Sequence, residues 1–341
     1  MKAMVFEEFG DESVLSFREV PTPEPGPGQV RVKVSRVGVN RLDLMERQGL
    51  VGKLAMPHIP GSEVAGVVDK VGAGSAVAPG LRVAVAPYLF CGHCEPCLSG
   101  EENVCVSSDI LGLRSMGGYA EYVVVPESSL IPIPDGVSDS AAAAVTLSTI
   151  TAWHMLVEKV RINPGDIVLV WAAGSGVGSA AIQIARLLGA KVIATAGSDD
   201  KVKRAMDEFG ADWGINYRKD DVAAVVRNIT AKRGVDVVFE HLGAETMATS
   251  FKCLARGGAV VTCGTLTGTR AEVDLWLVFA KQLRLIGSYG GTRKDLARVL
   301  QLVADGRLKP VIDEEISLSE AGRAQRKMAE RSQFGKILLV P

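Results

Sequence analysis

The 341-residue sequence has almost no net charge: 38 Lys and Arg residues stand against 39 Asp and Glu residues, which gives −1, and no long block of like charge occurs. Nucleic acids and anionic membranes are usually bound through a concentrated positive surface, so we expect neither as a partner. The N-terminal residues MKAMVFEEFGDE also lack the apolar run of a secretory signal. We therefore predict a cytoplasmic protein that acts on a small molecule.

One uncharged stretch, residues 167–185, approaches the length of a membrane-spanning helix. Its interior is interrupted by Gly174, Gly176 and Gly178. The β-branched residues before these glycines are typical of a buried strand, and the residues after them have helical periodicity. The stretch therefore predicts a strand, a turn and a helix, and we expect no association with a membrane.

Four of the six cysteines lie within CGHCEPCLSGEENVC, with the spacing C-x2-C-x2-C-x7-C. Four thiolates in tetrahedral array suit zinc, and four protein ligands leave no open position for water or substrate. Such a closed site is structural. Two disulfides are the alternative, which we disfavour because nothing else in the sequence indicates secretion. We predict one structural zinc per subunit, bound by Cys91, Cys94, Cys97 and Cys105.

The pattern of predicted elements changes along the chain. Short alternating segments separated by Pro-rich and Gly-rich stretches predict an all-β, barrel-like domain over the first part. From about residue 137 to 285, strands alternate with helices, which predicts a parallel sheet with right-handed crossovers. A helix is predicted over 137–160, with Ser138 as its N-cap. The fold class is therefore α/β.

A glycine-rich turn, WAAGSGVGSAA (171–181), lies between a predicted buried strand and a predicted helix. Glycines let the backbone approach a pyrophosphate, and the helix N-terminus offers free N–H groups, so the turn predicts a dinucleotide site. Position 179 is serine, which departs from the strict G-x-G-x-x-G pattern. The predicted contacts are Gly174, Ser175, Gly176, Val177 and Gly178, with Leu242 and Gly264 in the later predicted strands 235–243 and 259–265.

The tip of the next strand, ATAGS, indicates which nicotinamide nucleotide binds. An NAD site expects an acidic residue at this tip to hold the ribose 2′-hydroxyl, and here the tip is small and neutral. Asp199 and Asp200 fall in the first turn of the next helix, where their negative charges interact favourably with the helix dipole. Ser198, Lys201 and Tyr217 could instead surround a 2′-phosphate. We predict NADPH in preference to NADH.

We predict two domains from these patterns. The β-rich domain comprises 1–129 and 286–341, with the zinc lobe at 91–105, and the nucleotide-binding domain comprises 130–285. The final segment, GKILLVP (335–341), is expected to return to the first domain as a strand.

The sequence resembles the medium-chain dehydrogenase/reductase superfamily along nearly its whole length. The matching stretches are MKAMVFEEFG, GVNRLDLMERQG, PHIPGSEVAGVVDKVG, the cysteine cluster, GGYAEYVVVP, AAGSGVGSAAIQIARLLGAKVIAT and FGKILLVP. The resemblance implies a GroES-like β-barrel domain plus a Rossmann domain with a doubly wound parallel sheet. It also implies a cofactor contact at Thr151 and assembly as a homodimer or homotetramer.

The resemblance also bears on the reaction. Zinc alcohol dehydrogenases of the superfamily hold a catalytic zinc at positions that correspond here to Asn40, Ser62 and about Leu147, none of which is a usual zinc ligand. The VN-x-x-D pattern, the glycine turn and the INY strand resemble the quinone oxidoreductase branch. There NADPH delivers hydride to a quinone or an activated C=C bond without catalytic metal. This implies that Asn40, Asp43 and Ser62 lie beside the nicotinamide.

Two alternatives stay open. A zinc held by Asp43, His58 and Glu63 would make an alcohol dehydrogenase or carbonyl reductase, and a weakly catalytic protein would bind NADPH without turnover. Related enoyl-thioester reductases carry a tyrosine proton donor in the stretch that corresponds to 49–63, which here has none. This argues against acyl-thioester reduction. Separately, Trp276, Leu277 and Phe279 in 266–291 form either a subunit interface or core.

Overall fold

The computed structural model describes residues 1–341, which form two compact units. The first contains Met1–Ile150 and Gly291–Pro341, and the second contains Thr151–Gly290.

Seventeen strands build the sheets of the two units. In chain order they are β1 Lys2–Val5, β2 Ser16–Glu19, β3 Gln29–Gly38, β4 Glu63–Val71, β5 Arg82–Val85, β6 Tyr88–Leu89, β7 Asp109–Ile110, β8 Tyr122–Pro126, β9 Leu130–Pro132, β10 Ile167–Val170, β11 Lys191–Ala196, β12 Trp213–Asn216, β13 Val235–Glu240, β14 Leu254–Thr262, β15 Arg284–Gly287, β16 Ile312–Ser317 and β17 Lys336–Val340.

Eleven α-helices connect or flank these strands. They are α1 Arg41–Arg47, α2 Glu95–Leu98, α3 Asp139–Ala143, α4 Ser148–Trp153, α5 Gly176–Leu187, α6 Asp199–Phe209, α7 Val222–Ile229, α8 Ala244–Cys253, α9 Leu275–Lys281, α10 Arg293–Ala304 and α11 Ala321–Ala329. A π-helical segment, His154–Lys159, continues α4.

The main sheet of the first unit has the strand order β16-β17-β3-β4-β5-β9, and β8 also pairs with β3. Strand β3 is antiparallel to β4, β8 and β17. Its alternate residues Val30, Val32 and Val34 are buried, as the period of two predicts. Strand β17 brings the end of the chain into this sheet, with Leu338 opposite Gly38.

The second unit contains a six-stranded sheet with the order β12-β11-β10-β13-β14-β15, in which every neighbouring pair is parallel. Counted from β10, this is the 3-2-1-4-5-6 order of a Rossmann fold, and the predicted α/β class is confirmed. The order reverses between β10 and β13, so a ligand is expected at the carboxyl ends of these central strands.

The uncharged stretch 167–185 forms strand β10, a turn and helix α5, as predicted. Val168, Leu169 and Val170 are fully buried because the sheet is covered on both faces. None of the helices in the chain combines the length and the apolar character needed to cross a membrane.

The helix predicted over 137–160 is interrupted. Helix α3 begins after Ser138, whose hydroxyl caps it, but the helical run breaks before α4. At the break, the backbone N–H groups of Leu147 and Ser148 donate to the Glu63 carboxylate at 3.0 and 2.8 Å. The local pattern did not indicate this break, because it is stabilised by a residue on strand β4.

Candidate active site and zinc lobe

The four cysteine thiols of the lobe converge. Their sulfur atoms all lie within 4.8 Å of one another. The Cys94–Cys97, Cys91–Cys105 and Cys94–Cys105 sulfur distances are 3.4, 3.6 and 3.7 Å. Four sulfurs bound to one zinc at about 2.3 Å would lie about 3.8 Å apart, so the cluster fits a tetrahedral zinc. No disulfide joins the four thiols, and their convergence on one point favours a metal site over two disulfides.

Backbone N–H groups also contact the sulfur atoms of this cluster. The N–H groups of Cys91 and Ser107 each donate to the sulfur of Cys105 at 3.4 Å. His93 stays outside the ligand set, since its Nδ1 lies 3.0 Å from the carbonyl oxygen of Cys91 and its ring is exposed.

The glycine-rich turn of the second unit is tight and opens helix α5. The Ser175 hydroxyl caps helix α5 by accepting a hydrogen bond from the N–H of Gly178 at 2.9 Å. A Cβ atom at Gly178 would lie 2.4 Å from the carbonyl oxygen of Ala172, so only glycine fits there. The N–H groups of Gly176 and Val177 belong to the first turn and have no intrahelical acceptor. The serine at position 179 therefore leaves the turn intact.

The acid nearest the tip of strand β11, Asp199, is engaged by neighbouring side chains. The Asp199 carboxylate accepts a hydrogen bond from Nδ2 of Asn216 at 2.6 Å and pairs with Lys219, which together hold its pKa below the ordinary value. The hydroxyl of Ser198 caps helix α6 through the N–H of Lys201. The Asp199 carboxylate is thus already bound to neighbouring side chains of the protein.

Two side chains from the end of strand β12 converge on this tip. A Cβ atom at Gly197 would lie 2.8 Å from the Tyr217 hydroxyl and 3.3 Å from Nε of Arg218. The Tyr217 ring is tilted against Trp171, with 6.1 Å between the ring centroids. Sequence reasoning identified Tyr217 but missed Arg218, although the residue stands next to it in the INYR stretch.

The carboxyl ends of β13 and β14 lie at the same sheet edge as the glycine turn. The Glu240 carboxylate accepts hydrogen bonds from the N–H groups of Leu242 and Gly243, at 2.8 and 2.9 Å. A Cβ atom at Gly264 would lie 2.2 Å from the carbonyl oxygen of His241, so the two loops touch there. The structure thus brings Leu242 and Gly264 together. Thr151 is buried in helix α4.

His241 is a buried residue of this edge that sequence reasoning missed. Its Nε2 lies 2.8 Å from the carbonyl oxygen of Trp171, at the start of the glycine turn. Burial lowers the pKa of the imidazole, so the ring is neutral near pH 7 and Nε2 carries the proton that it donates to that carbonyl.

The three residues predicted to be catalytic lie in the first unit and differ in exposure. Asn40 is partly exposed and precedes helix α1. Asp43 is fully buried, and its Oδ2 accepts hydrogen bonds from the backbone N–H of Asn40 and the hydroxyl of Tyr119, both at 2.8 Å. Ser62 is also fully buried, and its hydroxyl has no hydrogen-bond partner. Asn40 is therefore the accessible member of the three.

A buried ion pair lies beside Asn40. The Nζ of Lys336 is 2.6 Å from Oε2 of Glu63 and 2.7 Å from Oδ1 of Asn40. The other oxygen of Glu63 accepts from the two backbone N–H groups at the break between α3 and α4. Sequence reasoning missed Lys336, whose position in the final strand alone does not reveal its partners.

The alternative ligands Asp43, His58 and Glu63 have other partners. The Nε2 of His58 lies 2.6 Å from the carbonyl oxygen of Gly112, and burial lowers the pKa of the ring. The ligand atoms of the four lobe cysteines lie close enough together to hold one metal ion. Asp43, His58 and Glu63 do not form such a group.

Comparison with known proteins shows where this arrangement belongs. Residues 26–135 match the family model of the alcohol dehydrogenase GroES-like domain, and residues 176–305 match that of zinc-binding dehydrogenases. The crystal structure of an NAD-dependent alcohol dehydrogenase is 43% identical and superposes with a TM-score of 0.95, with all of both chains covered. The chain belongs to the medium-chain dehydrogenase/reductase superfamily.

Relatives within this superfamily carry different activities. A quinone oxidoreductase of Pseudomonas aeruginosa is 31% identical, over 100% of this chain and 99% of its own. An acryloyl-coenzyme A reductase of Metallosphaera sedula is 30% identical, over 99% of both chains. As a medium-chain dehydrogenase/reductase, the protein is an oxidoreductase with a nicotinamide cofactor, and its cluster of four cysteines is suited to a structural zinc.

Helix α1 of this medium-chain dehydrogenase/reductase carries a second buried acid next to Asp43. Glu46 lies one helical turn from Asp43 on α1, is fully buried and has no hydrogen-bond partner for either carboxylate oxygen. Burial, and then the charges of Asp43 and Asp109, raise its pKa to about 10, so the carboxyl is protonated at neutral pH. For Asp43, burial outweighs the hydrogen bonds and raises the pKa to about 7.

Arg41 directly follows Asn40 and is half-buried. Burial, and then the neighbouring charge of Arg331, lower the pKa of its guanidinium. Two arginines held near each other raise the affinity of their surroundings for an anion. Sequence reasoning missed this pair, because Arg331 lies in the last tenth of the chain.

Proposed function

We propose that the protein is an NADPH-dependent reductase that transfers hydride to a quinone or to a C=C bond conjugated with a carbonyl group, without catalytic metal. The observation that carries the proposal is the Lys336 ammonium between Asn40 and Glu63. Asn40 and Ser62 stand at positions that correspond to catalytic zinc ligands in zinc alcohol dehydrogenases. Lys336 engages Oδ1 of Asn40 and Oε2 of Glu63, so these two oxygens are bound within the protein and are not offered to a second cation.

The chemistry then depends on hydrogen-bond donors. Bound NADPH supplies the hydride. In a conjugated substrate, the electron pair displaced by hydride moves onto the carbonyl or quinone oxygen, and that oxygen must be stabilised until a proton arrives. Asn40 is the accessible polar side chain of the predicted catalytic group, and its amide can donate to this oxygen. Asp43 holds the backbone of Asn40 in place, and Ser62 directly precedes Glu63, the partner of Lys336.

The choice of NADPH is supported by the tip of strand β11. The Asp199 carboxylate is engaged by Asn216 and Lys219 and lies in the first turn of helix α6, beyond the small, neutral tip of strand β11. The Tyr217 hydroxyl and the Arg218 guanidinium lie close to Gly197, where a 2′-phosphate would find both a donor and a positive charge. A related structure is named as NAD-dependent, so the two cofactors must be compared directly.

A C=C bond conjugated with a thioester carbonyl is one member of the proposed substrate class. The acryloyl-coenzyme A reductases among the relatives act, by name, on an alkene conjugated with a thioester. Arg41 and Arg331 would suit the phosphates of such a substrate or of the cofactor. The absence of a tyrosine in residues 49–63 stands against a thioester, so we favour simple enones and quinones.

The alternative is an alcohol dehydrogenase, which is the name of several relatives. It requires a second zinc per subunit. The experiment that tests both functions is elemental analysis of the purified protein combined with turnover of enones, quinones and alcohols with NADPH, NADH and their oxidised forms. One zinc with enone or quinone reduction supports the proposal. Two zincs with alcohol oxidation would refute it, and tight NADPH binding without any turnover would indicate the weakly catalytic alternative.

We further propose that the protein is a homo-oligomer, assembled through the second unit. Strand β15 is an edge strand of the six-stranded sheet. Next to it in sequence, helix α9 exposes Leu275, Trp276 and Phe279, with 66% of Trp276 and 67% of Phe279 accessible. Leu277 instead packs against the hydrophobic core of the unit. An exposed strand edge with exposed aromatic side chains nearby is typical of a subunit contact.

A further inference from the structure

We infer that Lys336 is a positioning residue, which fixes the side-chain amide of Asn40 so that its NH2 group, and not its carbonyl, is available to the substrate. The inference rests on the proposed function, in which Asn40 donates to the substrate oxygen. It assigns a role in the reaction to a lysine that is only 4% exposed and that acts through Asn40.

The Lys336 ammonium is surrounded by three oxygens. It donates to the carbonyl oxygen of Val39 at 2.9 Å and to Oδ1 of Asn40 at 2.7 Å, and it pairs with Oε2 of Glu63 at 2.6 Å. An ammonium group has three N–H donors and no acceptor. Two of these donors are hydrogen-bonded to Val39 and Asn40, and the ion pair with Glu63 holds the ammonium in place.

This contact decides the orientation of the Asn40 amide. The oxygen and nitrogen of a carboxamide are otherwise exchangeable by a flip of the side chain. Because Lys336 can only donate, the atom that faces Nζ must be the amide oxygen. The NH2 group then points away, and its one contact is a weak one to the carbonyl oxygen of Gly38 at 3.4 Å. At least one of its two N–H donors remains for a substrate oxygen.

The backbone of Asn40 is held as firmly as its side chain. Its N–H donates to the buried carboxylate of Asp43 at 2.8 Å. Glu63, which balances the charge of Lys336, is itself anchored by the N–H groups of Leu147 and Ser148. The three groups that orient Asn40 thus come from helix α1, strand β4 and strand β17, which makes the donor preorganised before substrate binds.

The test is a double-mutant cycle on kcat with Asn40→Asp and Lys336→Met, using the full protein and the best quinone or enone found above. Asn40→Asp keeps the contact with Lys336 but removes the donor, so kcat should fall about 100-fold or more, as for a lost oxyanion donor. Lys336→Met frees the amide to flip, and kcat should fall roughly tenfold, less than the loss of the donor itself. In the Asn40→Asp background, Lys336→Met should cause little further loss. The Kd of NADPH, measured by fluorescence, should stay within about twofold of the wild-type value in all three variants, because the substitutions are proposed to affect the contact with the substrate and not with the cofactor.

Failure of the proposed function and failure of this inference give different results. If the wild-type protein turns over neither quinones nor enones, the proposed function fails. If it does, and Lys336→Met keeps the wild-type kcat, or lowers kcat by the same factor in both backgrounds, the inference is overturned. Because Lys336→Met leaves Glu63 as an unpaired buried charge, Glu63→Gln/Lys336→Met is made alongside it. This variant removes both charges and should show the same roughly tenfold loss of kcat with a higher thermal midpoint than the single variant.

Discussion

The buried acid Glu46 provides the sharpest test of the electrostatics of the first unit. Its carboxyl is fully buried without a hydrogen-bond partner, and its pKa is raised from 4.5 to about 10. We predict that Glu46→Gln makes the stability of the protein less dependent on pH. Glutamine has nearly the same shape and stays neutral, so it removes the titration and little else.

The sign follows from proton binding. Between the pKa of the unfolded chain and that of the folded chain, Glu46 binds one more proton in the folded state. Its contribution to stability is therefore complete below about pH 4.5 and is lost as the pH rises toward 10. One such proton lowers the free energy of unfolding by about 1.4 kcal/mol per pH unit, or about 4 kcal/mol from pH 5 to pH 8 as an upper limit. Water that reaches the carboxyl would reduce this, so we expect about 2 kcal/mol.

The assay is denaturant unfolding of wild type and Glu46→Gln at pH 5, 6, 7 and 8. Any constant cost of burying the amide shifts the variant equally at each pH and cancels in the slope. Contributions from the cysteine lobe are common to both proteins. The matched control is Glu8→Gln, at an exposed glutamate, which should keep the wild-type slope. Parallel curves for wild type and Glu46→Gln would refute the reasoning, because they would mean that Glu46 titrates as it does in water.

Three further predictions concern the two ligand sites. Cys97→Ser should lower the zinc content below one per subunit and reduce the thermal midpoint of unfolding. A chelator added to the wild-type protein should have the same two effects. Unchanged zinc content and thermal midpoint would contradict a structural zinc. Arg218→Ala should raise the KM of NADPH about 10- to 100-fold, the cost of one charge-assisted contact, with the KM of NADH unchanged, and an equal effect on both would argue against a 2′-phosphate site. Gly178→Ala should weaken NADPH binding, measured by titration, because its Cβ would lie 2.4 Å from the carbonyl oxygen of Ala172. Gly136→Ala, strained by a φ of 81° in the first unit, is the control for general destabilisation and should leave the Kd of NADPH unchanged.

Local features of the sequence predicted much of the fold. The alternation of valines predicted strand β3, and the strand–turn–helix pattern predicted β10 and α5. The long helix over 137–160 was predicted as continuous and is broken, because the amide groups at the break bind Glu63. The aromatic segment near Trp276 could not be assigned to core or surface, since a short apolar run has the same pattern in both places.

The sequence alone determined the features in which a few neighbouring residues set the geometry. Four cysteines within fifteen residues can reach one metal ion, and the glycines of 174–178 can form one tight turn, whatever surrounds them. Only the tertiary structure decided the state of single side chains. Lys336 meets Asn40 across 296 residues of chain, and the burial of Glu46 decides whether its carboxyl is charged. Long-range packing sets which groups touch and how much water reaches them, and neither quantity can be read from spacing.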